Sequence, residues 1–245
     1  MKIVVIGETC TDIFIYANSK RLSPEAPVPI ITPIEETRNP GMSGNVVKNV
    51  SAMNPKIDIV HLCQKEPIFK TRYVDKKSNH MFLRVDEGEN NIQEFNLNTS
   101  ITNLMSNVDL VIVSDYDKGF LSNDRLIQIG KAAKLSILDS KKKLNKEIID
   151  SFTFVKLNEY ECDNNKDLKE CINIITTLGS KGARFDGVIY KSPDPKETID
   201  VSGAGDTFTS AFILEYYRTK NVGDSIIHAN KMASIVVSKR GVATP

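Results

Sequence analysis

The chain has no tryptophan, three histidines and four cysteines among 245 residues. So few histidines, with no Cys-x-x-Cys pair, exclude the spaced ligand sets of zinc motifs. Cys10, Cys63, Cys162 and Cys171 read as reduced thiols, which gives a cytoplasmic protein as the expectation. An excess of one charge is also missing: Lys plus Arg number 32 against 31 Asp plus Glu, for a net +1. No basic field exists to recruit nucleic acid or an anionic membrane, so any anion must be met by a local arrangement. No apolar run approaches the ~20 residues of a membrane span. The stretch MKIVVIGETCTDIF pairs a charge with apolar residues as a signal peptide does. It breaks at Gly7-Glu8 without a small-residue cleavage site, and so reads as a first strand. Internal repeats and low-complexity tracts are absent.

What is present is ordinary globular composition, 40% hydrophobic and 26% charged, at a length that suits one domain over residues 1–245. Short runs at Ile3 to Ile6, Leu110 to Val113, Ser136 to Leu138, Phe154 to Val155 and Ile172 to Thr176 are apolar throughout. That suits strands buried on both faces of a parallel sheet. Asn45 to Met53, Ser122 to Lys134 and Thr207 to Thr219 carry helical spacing between them. The order predicts a doubly wound α/β layer fold. Residues 12–34 and 70–96 instead alternate apolar with polar, as at Phe14 and Tyr16 or Met81, Leu83 and Val85. This predicts a small lid sheet with one wet face. The proline-rich SPEAPVPIITP excludes a helix and suits an edge strand or extended arm.

The most informative stretch is Ile199-Asp200-Val201-Ser202-Gly203-Ala204-Gly205-Asp206-Thr207-Phe208, which leads into an apolar helical pattern. Glycines let backbone approach phosphate, and a helix N-terminus directs amides and partial positive charge at it. Gly203, Ala204 and Gly205 are therefore a candidate anion cradle. A carboxylate directly after such a cradle repels phosphate unless it has work to do, and taking a proton from an attacking hydroxyl is such work. Asp206 is the candidate general base; the alternative is that it only complements the helix N-terminus.

With its surroundings, this stretch resembles the DTxGAGD signature of the ribokinase-like, or PfkB, carbohydrate kinases, with Val201 in place of the usual threonine. The resemblance runs along nearly the whole chain and narrows to the heptose-7-phosphate kinases of lipopolysaccharide and related surface-glycan synthesis. It is carried by Gly7-Glu8 with Asp12, RLSPEAPVPI at Arg21 to Ile30, Ser114-Asp115-Tyr116 with Lys118-Gly119, and Asp139-Ser140-Lys141. Asn158 with Glu161, Thr177-Leu178-Gly179-Ser180-Lys181-Gly182, and Ala229-Asn230 follow in the same order.

The resemblance implies a ribokinase-like three-layer α/β fold, a mostly parallel sheet with a small β-sheet lid, and ATP with Mg2+ as cofactors. It implies sugar contacts from Asp12, Gly41, Asn45 and Lys118, and nucleotide contacts from Asn158, Thr177, Gly179, Gly182 and Asn230. Glu161 would support magnesium through water, as suits an ion that keeps much of its hydration shell. The implied reaction is transfer of the ATP γ-phosphoryl group to a sugar or sugar phosphate, down to the anomeric hydroxyl of a heptose 7-phosphate. Asp206 would be the base and Gly203 to Gly205 the anion hole. A homodimer through the lid sheets, using Phe14, Tyr16 and Phe82, is a further expectation. Each residue also has a purely structural reading. Asp12 suits a turn, Asn45 a helix start, Asn158 with Glu161 a helix cap, and Lys118, Lys141 and Lys181 a solvated surface.

The chain departs from the family in three places. Met42, within Pro40-Gly41-Met42-Ser43-Gly44-Asn45, stands where a second glycine is expected and would obstruct backbone approach to a sugar. An α/β unit is missing after Leu62. The loops at Asp163 to Lys169 and Ser192 to Lys196 are short, and no nucleotidyltransferase domain follows, so a single reaction is expected. These departures leave open a kinase for a different sugar or nucleoside, or a nucleotide-binding scaffold without turnover.

Overall fold

A computed structural model describes residues 1–165, 168, 171–193, 201–239 and 241–245. Its strands are β1 (Lys2–Gly7), β2 (Thr9–Leu22), β3 (Pro29–Met42), β4 (Asp58–Leu62), β5 (Phe69–Asp75), β6 (Met81–Glu87), β7 (Leu110–Asp115), β8 (Ser136–Ser140), β9 (Phe154–Asn158), β10 (Ile174–Thr177), β11 (Ala183–Phe185) and β12 (Val188–Tyr190). Its helices are α1 (Ser43–Met53), α2 (Thr99–Asn107), α3 (Asn123–Ala132), α4 (Lys146–Ser151), α5 (Glu159–Asn164), α6 (Ala204–Thr219) and α7 (Val222–Val237).

The expected apolar runs form the middle of a sheet ordered β12-β11-β10-β9-β8-β7-β1-β4, parallel from β4 to β10 and antiparallel at β11 and β12. Because successive side chains on a strand face opposite ways, each run feeds two cores. Val4, Ile6, Val111 and Val113 pack with Met105, Leu126 and Ile148 from α2, α3 and α4. Ile3, Val5, Leu110 and Ile112 pack with Val46, Phe212 and Ala229 from α1, α6 and α7. The result is a three-layer α/β fold. At ~25 cal/mol per Å² of apolar surface, these two double-sided cores supply the main drive to fold.

The chain leaves β1 to build the lid, returns to β4 on one side of β1, and then crosses to β7 on the other. This reversal makes the carboxyl ends of β1 and β7 a switch point, where open α/β sheets bind ligands. β4 is the sheet's edge, and from Leu62 the chain passes through Cys63 to Ile68 straight into lid strand β5.

The lid is a four-stranded sheet ordered β3-β2-β5-β6. Proline-rich β3 lies at its edge, where missing amide donors cost least. The lid strands cover residues 9–42 and 69–87, more than expected on the first side and less on the second. Phe95, expected in the lid, instead packs against Phe120 in the main body, with the rings tilted and their centres 5.2 Å apart. Phe14 and Tyr16 face inward rather than outward: they are buried with Val74 and Val242 of the same chain. The apolar side chains exposed on the lid are Leu22, Val28, Ile34, Met81, Leu83 and Val85. Helix α6 begins three residues before the expected Thr207, because Gly203 turns the chain with φ 79°. β10 begins at Ile174, leaving Ile172 exposed. Parts of the loops expected to be short (residues 166, 167, 169 and 194–196), and Ile199 and Asp200 of the signature stretch, lie outside the described residues.

Candidate active site

Helix capping first separates the site from the scaffold. Five of the seven helices among the described residues start with a side-chain cap: Asn98, Ser122, Asn145, Asn158 and Asn221. Helices α1 and α6 start at Met42 and Gly203 without one. The first amides of a helix have no intrahelical partner, so an uncapped start keeps its donors for something else. Both uncapped starts lie beside the carboxyl ends of the parallel strands.

Two adjoining cavities open there. One, of about 670 Å³, is lined by Asn158, Thr177, Gly179, Gly182 and Asn230, together with the turn Gly203, Ala204, Gly205 and Asp206. The other, of about 430 Å³, lies under the lid and is lined by Asp12, Met42, Asn45 and Lys118, again with Gly203 and Asp206. Except for Gly41 and Glu161, every expected site residue is on one of these walls.

Gly41 acts from behind the wall. A β-carbon there would fall 2.0 Å from Asp12 Oδ2 and 2.6 Å from Cys10 Sγ, so this glycine makes room for the Asp12 carboxylate. Glu161 stands behind Lys141. Its Oε2 accepts from the Asn158 amide at 2.7 Å while Asn158 Oδ1 accepts from the Glu161 amide at 2.8 Å, the capping box of α5. Its Oε1 accepts from Lys141 Nζ at 2.6 Å.

Asp206 sits in the first turn of α6, where both carboxylate oxygens are engaged. Asn45 Nδ2 donates to Oδ2 at 2.7 Å, and the Tyr116 hydroxyl donates to Oδ1 at 3.1 Å. Asn45 is itself oriented: Asn49 Nδ2 donates to its Oδ1 at 3.1 Å, and the Thr207 hydroxyl donates to Asn49 Oδ1 at 2.8 Å. Burial, then the nearby Asp139 carboxylate, pushes the Asp206 carboxyl up to about 6, against the lowering effect of Asn45, Lys156 and Tyr116. A carboxylate poised near neutrality suits a general base. Burial and the Asp206 charge likewise hold the Tyr116 phenol well above its usual value, as a neutral donor.

Beneath the turn, Lys156 pairs with Asp139 at 3.0 Å, and both are nearly inaccessible. Burial alone would raise the Asp139 carboxyl, but Lys156 and Lys141 outweigh it and hold it below the ordinary range. A β-carbon on Gly205 would meet Lys156 Nζ at 3.2 Å, so this cation lies directly below the anion cradle. Lys156 escaped the sequence reading, although a lysine inside the apolar run Phe-Val-Lys-Leu-Asn is the pattern that reveals such a residue. Glu8, fully buried at the end of β1, accepts from the amides of Tyr116 and Lys118 at 2.9 Å each and fixes the loop that carries them.

The cavity under the lid is lined with cations. Lys70, Arg72 and Arg84 from the lid, with Lys118 and Lys141, set five cations against the carboxylates of Asp12, Asp86 and Asp206. Asp12 is paired with Arg72, whose guanidinium lies 5.0 Å from the centre of the Phe14 ring. Glu89 bridges Lys70 and Lys118. The lid cations escaped the sequence reading; the spacing Lys70-x-Arg72 placed them on one face of a strand, but nothing local showed that face turned inward. Met42 lines this cavity with φ 55° and ψ −132°, a backbone conformation natural to glycine, and its side chain packs against Cys10 and Ile68. Burial, then Asp12, pushes the Cys10 thiol up to about 12.

Comparison with known proteins agrees with this fold. A family model described as pfkB family carbohydrate kinase matches residues 56–245. The chain belongs to the pfkB family of carbohydrate kinases. Among curated relatives, the bifunctional protein HldE of Nitratiruptor sp. is 28% identical over 291 residues, covering 99% of this chain and 63% of that protein. HldE of Helicobacter pylori strain J99 is 27% identical over 300 residues, covering 99% and 64%. The chain thus spans under two thirds of the length of these relatives. The alignments are longer than its 245 residues, so the relatives carry stretches that it lacks. Among solved structures, Thermotoga maritima ribokinase superposes with a TM-score of 0.75 at 18% identity, covering 98% of this chain and 94% of that one. Arabidopsis thaliana ribokinase, complexed with ribose and ATP, gives 0.71 at 17% identity, covering 98% and 93%.

Proposed function

We propose that this PfkB kinase transfers the γ-phosphoryl group of ATP to a sugar that already carries a phosphate, specifically to the anomeric hydroxyl of a heptose 7-phosphate. The observation that carries the reading is the set of five cations lining the cavity under the lid. Each is held by a carboxylate of the chain, and a phosphate on the acceptor would share these donors in charge-assisted hydrogen bonds that an unphosphorylated sugar does not make. The likeness to bifunctional HldE proteins and the heptose-kinase motifs around Asp12 and Arg21 to Ile30 support the same substrate.

In this reading ATP lies along Asn158, Thr177, Gly179, Gly182 and Asn230, with its γ-phosphate at the turn Gly203 to Gly205. Asp206 takes the proton of the acceptor hydroxyl, held in aim by Asn45 and Tyr116. Asp12 and Asn45 orient the sugar. Lys118 and the lid cations meet its phosphate. The lid excludes water as a competing acceptor. The described residues contain no cluster of three His, Cys, Asp or Glu suited to a metal, which fits an ion held chiefly by phosphates and water. Asp139 and Glu161 are the carboxylates on that side, and Asp139 Oδ1 is a buried acceptor without a hydrogen-bond donor. Magnesium there would neutralise the β- and γ-phosphates. A homodimer through the lids belongs to the same proposal, resting on the exposed Met81, Leu83 and Val85. So does a cytoplasmic location; no described helix is long and apolar enough to cross a membrane.

ADP release over a panel of sugars and sugar phosphates, with Asp206→Asn as control, tests the reading. Phosphorylated acceptors should exceed their unphosphorylated counterparts at least tenfold in kcat/KM. Equal turnover of both would remove the phosphate-recognition claim, and parental turnover by Asp206→Asn would remove the base.

A further inference from the structure

A phosphoryl group moving from nucleotide to sugar has to pass where the two cavities meet. The side chains and turn residues that line both are Tyr116, Lys141, Gly203 and Asp206. Lys141 is the one cation in that set. Its ammonium is held by Glu161 Oε1 at 2.6 Å and Asp139 Oδ1 at 3.6 Å, and lies 5.5 Å from the centre of the Tyr116 ring.

The exposures are unequal. The Lys141 side chain is 34% exposed, while those of Asp139 and Glu161 are 5% and 6% exposed. Neither carboxylate depends on Lys141 alone: Asp139 already has Lys156 at 3.0 Å and the Thr209 hydroxyl at 3.1 Å, and Glu161 has the Asn158 amide. Two carboxylates that each have another donor therefore hold a lysine whose remaining surface belongs to both cavities. An ammonium has three donors; Glu161 takes one, and Asp139 at 3.6 Å is beyond a good hydrogen bond, so donors remain for a ligand.

We propose that Lys141 is a catalytic residue that neutralises the phosphoryl group in transit, and that Glu161 is the positioning residue that anchors it at the crossing. This deepens the phosphotransferase reading and rests on it. In the step, the bond between the γ-phosphorus and its bridging oxygen breaks, and ADP leaves with the electron pair. A bond forms from the acceptor oxygen to phosphorus, and the acceptor proton passes to Asp206. Lys141 keeps its proton throughout. A loose transition state spreads charge over three equatorial oxygens, and a compact ammonium anchored from behind answers it without reorganising.

The decisive comparison uses Lys141→Met, Glu161→Gln and the double variant. Gln keeps the α5 cap, and the double variant leaves no unpaired carboxylate at this position, so a structural effect of the lysine is cancelled. The expected result is kcat lowered at least ~100-fold in Lys141→Met relative to the parent, partial recovery in Lys141→Arg, a KM for ATP changed less than about threefold in Lys141→Met, and a double variant at least ~10-fold below Glu161→Gln alone. A double variant within about threefold of the Glu161→Gln kcat would overturn the proposal. Calorimetry with the β,γ-imido analogue of ATP and with ADP gives a readout that needs no acceptor. Lys141→Met relative to the parent, and the double variant relative to Glu161→Gln, should each lose at least ~10-fold of the preference for the analogue while binding ADP unchanged; an unchanged preference in both comparisons would overturn the proposal. If no acceptor turns over but that preference depends on Lys141, the sugar-phosphate reading falls and the role of Lys141 stands. If a sugar phosphate turns over in the parent and the double variant alike, the outcome is the reverse.

Discussion

Asn45 Nδ2 lies 2.7 Å from Asp206 Oδ2, a contact between residues 161 apart in the chain. It joins the sugar-side helix α1 to the phosphate-side helix α6, and Asn49 and Thr207 brace it from behind. The proposed base is thus aimed by the same helix that carries a proposed sugar contact.

Asp206→Asn should lower kcat about 10²- to 10⁴-fold, the usual worth of a positioned general base. Nucleotide affinity should stay within about threefold, since the amides of the turn remain. Single-turnover ADP formation separates the two quantities.

The rate should rise about tenfold per pH unit up to about 6 and level off above 7, because Asp206 must be ionised and burial and Asp139 set its carboxyl at about 6. Stability should show the opposite sign. A folded-state value raised above the unfolded ~3.9 favours the protonated form; this contribution is complete below about pH 4 and lost as pH rises through 6. Asp206→Asn lacks the penalty and should gain on the parent by up to ~3 kcal/mol between pH 4 and 7. Urea unfolding at both pH values measures it; no gain at pH 7 would contradict the assignment.

Arg72→Leu should destabilise the chain by about 3–5 kcal/mol, because Asp12 would be left as a buried unpaired charge. The pair is 13% and 8% exposed in its side chains. Adding Asp12→Asn should restore most of the loss, which denaturant midpoints would show.

Arg84→Ala should raise KM for a phosphorylated acceptor at least tenfold and leave KM for ATP unchanged. Arg84 lines the sugar cavity, and its partner Asp86 also has Lys70, so the fold should tolerate the loss. Steady-state kinetics with each substrate varied decides it.

At Met42 the usual order of small residues should invert. Both Ala and Gly forfeit the buried thioether, but at φ 55° and ψ −132° alanine also keeps the strain of a β-carbon in a glycine conformation, of order 1–3 kcal/mol. Met42→Gly should therefore be more stable than Met42→Ala, by thermal denaturation.

The layer architecture was legible because strands buried on both faces must be apolar at every position, and those runs stood out around Ile3, Leu110 and Phe154. The phosphate turn was legible because close backbone approach demands glycine. The inward face of the lid was not. Phe14 and Tyr16 alternate as a half-wet strand does, and local alternation shows that two faces differ, not which one meets the body; Val242, over two hundred residues away, covers them. Lys156 was hidden for a related reason. It is tolerable in its strand only because Asp139 arrives from the neighbouring strand.

Two joints between lid and body have almost no slack. β1 passes into β2 across Glu8 alone, and β3 runs directly into α1 at Met42-Ser43. A lid tethered this tightly cannot open like a flap on a long loop; it must flex at those joints. One is pinned by Glu8, whose carboxylate is bound into the loop at residues 116–120, and the other turns on the strained Met42 backbone. The stiffness of these two points should set how fast sugar enters and product leaves. On that account Met42 works as a spring as well as a wall, and its exchange for glycine would change release as much as fit.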